Sequence, residues 1–388
     1  MDKETRSILN IIKSGITEEN IEISDELSLK KLIELTNRHN IFTLVYYGLI
    51  NCNVSIDEKL NTQLTNAAIS GVYINEQQLY YIKEISSQFD KNNIDYMFLK
   101  GSVLKHYYPK PEIRRMGDID VLIKEEQYNK ISSILKKIGF SFRNESNHEI
   151  IWTKNNIVIE LHKILMPSYN KDLHEYFGNG WDKAVKTGKN SYAFSDDDML
   201  IYLFSHFTKH YREAGIGITH MCDLYVFLME KHINEDYVKS ELTSLKLYDF
   251  YCNIKETLSV WFENEKSSEM TDYITAVIFN SGVYGLRENV RISSALREKN
   301  QINNIALGRL HRIWQKIFPS YRGMKTRYQI LKKYPFLLPL FWIYRLIDII
   351  FFRRKDISKN LNDICVINEQ EIQTYETALN YVGLDYDF

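Results

Sequence analysis

Residues 96–123, YMFLKGSVLKHYYPKPEIRRMGDIDVLI, constrain the fold more than any other stretch of the chain. Met97, Phe98 and Leu99 form a short apolar run that Lys100, Gly101 and Ser102 break. Val103, Leu104 and Tyr107 then fall on one helical face, and Pro109 and Pro111 stop that helix. Asp118-Ile119-Asp120-Val121-Leu122-Ile123 returns to extended structure. Residues two apart on a strand point the same way, so Asp118 and Asp120 share a face about 6–7 Å apart at the backbone. Ile119, Val121 and Ile123 face a core.

Two carboxylates held side by side repel each other. A divalent cation removes that cost, and Mg²⁺ prefers oxygen ligands. Gly101 and Ser102 stand where a helix begins, and first-turn N–H groups without partners attract anions. Phosphate donors beside a carboxylate-held metal point to a nucleoside triphosphate. Each piece taken alone has a plainer reading, the Asp-x-Asp pair as a solvated strand end and Gly-Ser as a turn. Order and spacing favour the combined one.

Downstream, 148–153 and 157–162 read as two strands joined at Lys154-Asn155-Asn156. Val158, Glu160 and His162 share one face of the second, and Ile157, Ile159 and Leu161 the other. A glutamate in an apolar strand is costly unless paired or metal-bound. Pairing of this strand with 118–123 would bring Glu160 to both aspartates, and three carboxylates can hold two metal ions. The plainer alternative is a salt bridge to a buried Lys or Arg. For His162, orienting Glu160, touching nucleotide and filling the strand end all stand open.

With these residues in view, the chain resembles the nucleotidyltransferase superfamily that shares the polymerase-beta core. It is most similar to uncharacterised bacterial nucleotidyltransferases whose signature runs Lys-Gly, Tyr-Pro-x-Pro, Arg, Asp-Ile-Asp and carboxylate-Leu-His. The matching elements are Lys100-Gly101, Tyr108-Pro109-Lys110-Pro111, Arg114, Asp118-Ile119-Asp120 and Glu160-Leu161-His162. The resemblance implies metal binding by Asp118, Asp120 and Glu160, and nucleotide binding by Lys100, Gly101, Ser102 and Arg114. Gly117 stands where many superfamily members carry serine, which removes a hydroxyl from the phosphate site. The family's His-x-x-x-His helix with an aspartate on the next helix is matched by His206, His210 and Asp223. Together with His162 these are expected to form an active-site wall, with interhelix hydrogen bonding as the plainer role. The histidine spacing also suits zinc, but residue 207 is Phe and no HExxH motif is present.

The expected architecture is α+β, with a small mixed sheet between N-terminal and C-terminal helical regions. Residues 1–93 read as a helical region, 94–194 as the nucleotidyltransferase core and 195–330 as a helical domain closing the site. Residues 331–388 read as an amphipathic segment and tail. Ser24 or Asp25 is expected to cap the second helix, and His39 reads as a capping or interface histidine. A formal net charge of −1 argues against a broad nucleic-acid footprint, and four scattered cysteines suggest no metal cluster. With a polar N-terminus, the expected location is the cytoplasm. The stretch PFLLPLFWIYRLIDIIFF, 335–352, is too interrupted to span a membrane. Burial against the helical domain is the favoured reading. The other is peripheral membrane contact through 335–355, with Arg353, Arg354 and Lys355 on head groups. Arg309 and Arg312 read as part of a solvated basic helix face.

The expected activity is transfer of a nucleoside monophosphate from an NTP, with ATP included, to an acceptor hydroxyl, using Mg²⁺ or Mn²⁺ and releasing pyrophosphate. The acceptor is expected to be a small molecule or protein rather than long nucleic acid. Two rivals stand: terminal-phosphate transfer on the same fold, and a non-catalytic nucleotide-binding or membrane-associated scaffold.

Overall fold

The computed structural model describes residues 1–283, 285–302, 314, 317–328, 330–352 and 369–384. Arg309, Arg312 and the cluster Arg353–Lys355 lie outside the described residues. The chain divides into two compact units. The first comprises residues 1–211, 215–285 and 382–384, and the second draws on 212–214 and 286–381.

Helices α1 (Lys3–Thr17), α2 (Leu29–His39), α3 (Phe42–Asn51) and α4 (Glu58–Lys91) open the first unit. Their starts are fixed by side chains that satisfy first-turn N–H groups: Asp2 caps α1 and Asp57 caps α4. Ser28, rather than Ser24 or Asp25, caps α2 by accepting from the Lys31 amide. Asn40 ends α2 in the left-handed conformation, φ +54°. His39 is buried, as a structural histidine should be, between the Phe279 carbonyl and the Ile218 amide. The long apolar segment from Leu60 to Phe89 lies within one unbroken 34-residue helix.

The α/β portion follows. Strand β1 (Tyr96–Phe98) leads into α5 (Gly101–Leu104), and β2 (Ile119–Ile123) follows the Pro-rich loop. Helix α6 (Tyr128–Lys137) ends at Gly139, φ +90°. Strands β3 (Ser141–Glu145), β4 (Glu149–Lys154) and β5 (Ile157–His162) complete a five-stranded sheet in the order β1-β2-β5-β4-β3. The sheet is mixed, because β2 and β5 run parallel while the other pairs run antiparallel. Strand β3 was not expected from sequence. Its residues SFRNE are nearly all exposed, so no apolar alternation marks them. Phe140 does not point outward with Phe142; it is buried in the core while Phe142 is exposed.

One face of the sheet packs Ile119, Val121, Trp152, Ile159 and Leu161 on Ile85 and Phe89 of α4 and on Ile131 and Leu135 of α6. Each such side chain contributes about 1.5–3 kcal/mol by leaving water. That burial fixes the register and leaves the opposite face to polar groups. Strands β6 (Val185–Lys186) and β7 (Tyr192–Ala193) form a small ribbon. Helix α7 (Lys171–Phe177) precedes this ribbon, and helices α8 (Asp196–Glu213), α9 (Ile218–Glu230), α10 (Glu235–Ser244), α11 (Tyr248–Phe262) and α12 (Glu269–Ser281) follow it.

The second unit contains α13 (Arg287–Ile302) and helices Tyr321–Arg327, Ile330–Lys333, Leu338–Phe352 and Glu369–Tyr381. Of the segment 335–352 expected to be buried, residues 335–348 are each half-buried or exposed. Among the described residues no helix is long and apolar enough to cross a membrane.

Candidate active site

The parallel pairing of β2 with β5 builds the site. Its register sets Asp120 opposite Glu160 and Leu122 opposite His162. Because side chains alternate, the apolar partners go down into the core and the carboxylates rise on the other face. Among the described residues, ligand atoms of Asp120, Glu160 and His162 lie within 4.8 Å of one another, a set able to coordinate a divalent metal. Asp118, just ahead of β2, is not one of that set, but its charge acts on both Asp120 and Glu160.

The electrostatics follow from crowding three carboxylates in a half-dry place. Burial would push Asp120 up, but the Lys100 charge and the His162 hydrogen bond outweigh it and hold Asp120 low. Asp120 Oδ1 accepts from Lys100 Nζ at 2.8 Å and from His162 Nε2 at 2.7 Å. A carboxylate oxygen only accepts, so Nε2 carries the proton. Burial lowers the His162 pKa and favours the neutral ring, which leaves Nδ1 as a buried lone pair without a partner. Glu160 is pushed up, first by burial and then by the charges of Asp118, Asp120 and Glu149. Asp118 is raised by burial and by Asp120. The donors present are carboxylate oxygens with the His162 ring against them, and the raised carboxyls record the repulsion that a divalent ion relieves. The residues therefore fit a divalent cation.

Lys100 has an unusual backbone, φ +46° and ψ −120°, at the turn from β1 into α5. Its neighbour needs to be glycine: a Cβ on Gly101 would stand 2.8 Å from Met116 Cγ and Sδ and 3.0 Å from Arg114 Nη1. The Ser102 hydroxyl is buried without a partner beside this turn. Behind it Lys105 is fully buried, its ammonium held by Asn75 Oδ1 at 2.5 Å and Gln78 Oε1 at 3.4 Å. Gln78 also donates to the Met116 carbonyl, so α4 fixes both the turn that follows α5 and the loop before β2.

Lys100 and Arg114 were expected to neutralise phosphate. In the structure both are engaged by carboxylates, Lys100 with Asp120 and Arg114 with Asp223. Asp223 sits on α9 as expected and also accepts from the Tyr108 hydroxyl at 2.8 Å. His206 and His210 lie one turn apart on α8 with Nε2 atoms 3.1 Å apart. Burial drives both toward the neutral form, so one ring donates and the other accepts. They join no three-ligand cluster among the described residues.

A cavity of about 40 Å³ is lined by Lys100, Arg114, His206, His220 and Asp223 with Leu104, Leu203, Phe207 and Leu224. It brings Lys100 and Arg114 together with His206 and Asp223, while His162, His210, Gly101 and Ser102 do not line it. Two of its neighbours escaped the sequence reading. His220 stacks near His206, with ring centroids 6.2 Å apart, and the Tyr202 hydroxyl is buried without a partner within the field of Lys100 and Asp120. Neither belongs to a motif. Only the approach of α8 and α9 shows them.

A small mixed sheet with carboxylates on adjacent parallel strands, set among helices, is consistent with the polymerase-beta-like nucleotidyltransferase core. The model of the family described as uncharacterised nucleotidyltransferase matches residues 25–263, and the chain belongs to that family. No curated protein matches the chain. Among solved structures, one similar chain is the solution structure of the antibiotic-resistance factor ANT(2'')-Ia, at 10% identity and a TM-score of 0.33. The match covers 49% of this chain and 100% of that one, and at this level it carries no argument about function.

Proposed function

We propose that the protein transfers a nucleoside monophosphate from an NTP to an acceptor hydroxyl, releasing pyrophosphate. The observation that carries this reading is the β2–β5 register, which sets Asp120 against Glu160 beside His162. Asp118, Asp120 and Glu160 would hold Mg²⁺ or Mn²⁺, with the His162 ring against them. Such an ion supplies charge neutralisation at the phosphates and acidifies a bound hydroxyl.

The chain's own groups supply the rest. Glu160, crowded by Asp118 and Asp120, would be kept deprotonated by a bound ion and so able to take the proton of the acceptor. The acceptor oxygen forms a bond to the α-phosphorus, the bond from that phosphorus to the bridging oxygen breaks, and pyrophosphate leaves. The Gly101 amide and the unpartnered Ser102 hydroxyl are the candidate phosphate donors, whereas the Ser102 amide, expected to join them, already donates to the Leu99 carbonyl at 3.2 Å. Lys100, tied to Asp120, holds positive charge where negative charge develops. The near-neutral net charge favours a small-molecule or protein acceptor over long nucleic acid.

The test uses each ribonucleoside triphosphate labelled at the α-phosphate, with Mg²⁺ or Mn²⁺ and a cell extract as the acceptor source. Label in a new species together with pyrophosphate, both absent from Asp120→Asn, is the expected result. Label transferred only from the γ-phosphate would replace this reading with terminal-phosphate transfer. Tight nucleotide binding without any product would replace it with a binding role.

A further inference from the structure

The second unit carries an apolar stripe on its surface. Phe336, Leu340, Ile343, Tyr344 and Ile347 are 75%, 61%, 55%, 59% and 48% exposed. At the helical repeat of about 100° per residue, positions 340, 343, 344 and 347 fall within an arc of about 100°. The other side of the same helix, Leu338–Phe352, is anchored: Trp342 Nε1 donates to the Pro319 carbonyl at 2.9 Å, and the Phe341 ring lies 4.8 Å from Tyr328. The stripe is therefore the outward face of a helix that already has a packed inner face.

Charge accompanies the stripe. Residues 322–352 carry six Lys and Arg, namely Arg322, Lys325, Arg327, Lys332, Lys333 and Arg345, against one acidic residue, Asp348. Arg353, Arg354 and Lys355 follow directly in the sequence, in a chain whose net charge is −1. Lys332 and Lys333 are exposed immediately before the stripe. Two copies of so basic a segment repel, whereas an anionic surface attracts it. Fifteen helical residues span about 22 Å, short of the roughly 30 Å of a hydrocarbon core, so the helix fits the plane of an interface and not its thickness.

We propose that this helix docks the protein, apolar stripe down, on an anionic lipid surface. Exposed apolar side chains enter the boundary between head groups and acyl chains, and Lys332 and Lys333 lie against the lipid phosphates. The inference goes beyond the proposed chemistry and does not depend on it.

The test is flotation of the full-length protein with vesicles of phosphatidylglycerol and phosphatidylcholine, against vesicles of phosphatidylcholine alone. The expected result is flotation with the anionic vesicles only, weakened at about 0.5 M NaCl, where screening is strong. Lys332→Ser with Lys333→Ser should lower the partition coefficient by about tenfold. Leu340→Glu, Ile343→Glu and Ile347→Glu together should abolish flotation, with the thermal melt unchanged because these positions are exposed. Absence of flotation with anionic vesicles overturns the proposal, and so does equal flotation of the triple variant. A concentration-dependent dimer that the triple variant breaks, without vesicle binding, would assign the face to a second copy instead. Should the triple variant melt early, the lysine variant and the salt series still decide.

Discussion

Arg114 and Asp223 lie 109 positions apart and meet as a two-pronged pair, Nε to Oδ1 at 3.0 Å and Nη2 to Oδ2 at 2.8 Å. Both side chains are largely buried, and Asp223 also receives the Tyr108 hydroxyl. The pair ties the loop before β2 to α9, and so fixes the wall of the small cavity to the strand that carries Asp120. Removing one partner strands a buried charge. Asp223→Ala is expected to cost about 3–5 kcal/mol in urea denaturation, and Arg114→Ala a similar amount. The double variant should lose clearly less than the sum. Tyr108→Phe deletes one hydrogen bond and should cost about 0.5–1.5 kcal/mol. Additive losses would mean that the pair does not act as a unit.

Stability and activity should part at Glu160. Its carboxyl is crowded by Asp118, Asp120 and Glu149, so a neutral isostere removes repulsion. Glu160→Gln is expected to stabilise the metal-free protein at about pH 9 by roughly 1–3 kcal/mol, after discounting for its partial exposure. If Glu160 holds the ion and takes the proton as proposed, the same change should lower nucleotidyl transfer by about 10³-fold or more. Denaturation and turnover measured on one preparation check both. A variant neither more stable nor less active would remove Glu160 from the site.

How much of this was legible in the sequence depends on how local the signal is. Glu160 showed itself because a charge inside an apolar strand has few explanations, and the alternation of β5 already gave its face. The Asp118/Asp120 pair and the Lys100-Gly101 turn were legible only through their order and spacing, since each alone has a plainer reading. Strand β3 was not, because an exposed strand buries no alternating face. That Arg114 and Lys100 face carboxylates was not legible either. Each residue could be named, but the partner arrives through tertiary packing from far along the chain. Tyr202 and His220 belong to no motif and take their meaning from the meeting of α8 and α9. The outward face of Leu338–Phe352 was misjudged because composition reports how apolar a helix is and not which side of it is covered.

The pH dependence has a definite sign. Glu160 is a carboxyl whose pKa rises from its ordinary 4.5 to about 8 in the fold. Between those values the folded protein binds more protons than the unfolded chain, so this group makes stability fall as pH rises through that window. Asp120 works in the opposite sense: held low, it contributes stability above its ordinary 3.8 that is lost as the solution turns acid. A divalent ion needs the deprotonated carboxylate, so affinity for Mg²⁺ should rise from about pH 5 to about pH 9, with protons released on binding. Melting curves with EDTA and with Mg²⁺ across that range check the stability, and calorimetry in buffers of different ionisation enthalpy counts the protons. The largest gain in melting temperature from Mg²⁺ is expected at the alkaline end. A gain that does not vary with pH would show that the ion binds elsewhere.

Gly101 separates packing from binding. A Cβ there meets the Met116 side chain at 2.8 Å and Arg114 Nη1 at 3.0 Å. Met116 is flexible at its far end and can yield, but Arg114 cannot easily do so, because Nη1 donates to the Arg115 carbonyl and the rest of the guanidinium is held by Asp223. Gly101→Ala is expected to cost about 1–3 kcal/mol of stability. Adding Met116→Ala opens the space and should recover part of that loss. If the Gly101 turn cradles the triphosphate, nucleotide affinity should stay about tenfold down in the double variant, because the Arg114 clash remains and displaces the turn. Recovery of both stability and affinity in the double variant would reduce Gly101 to a packing residue and leave Ser102 and Lys100 to hold the phosphates.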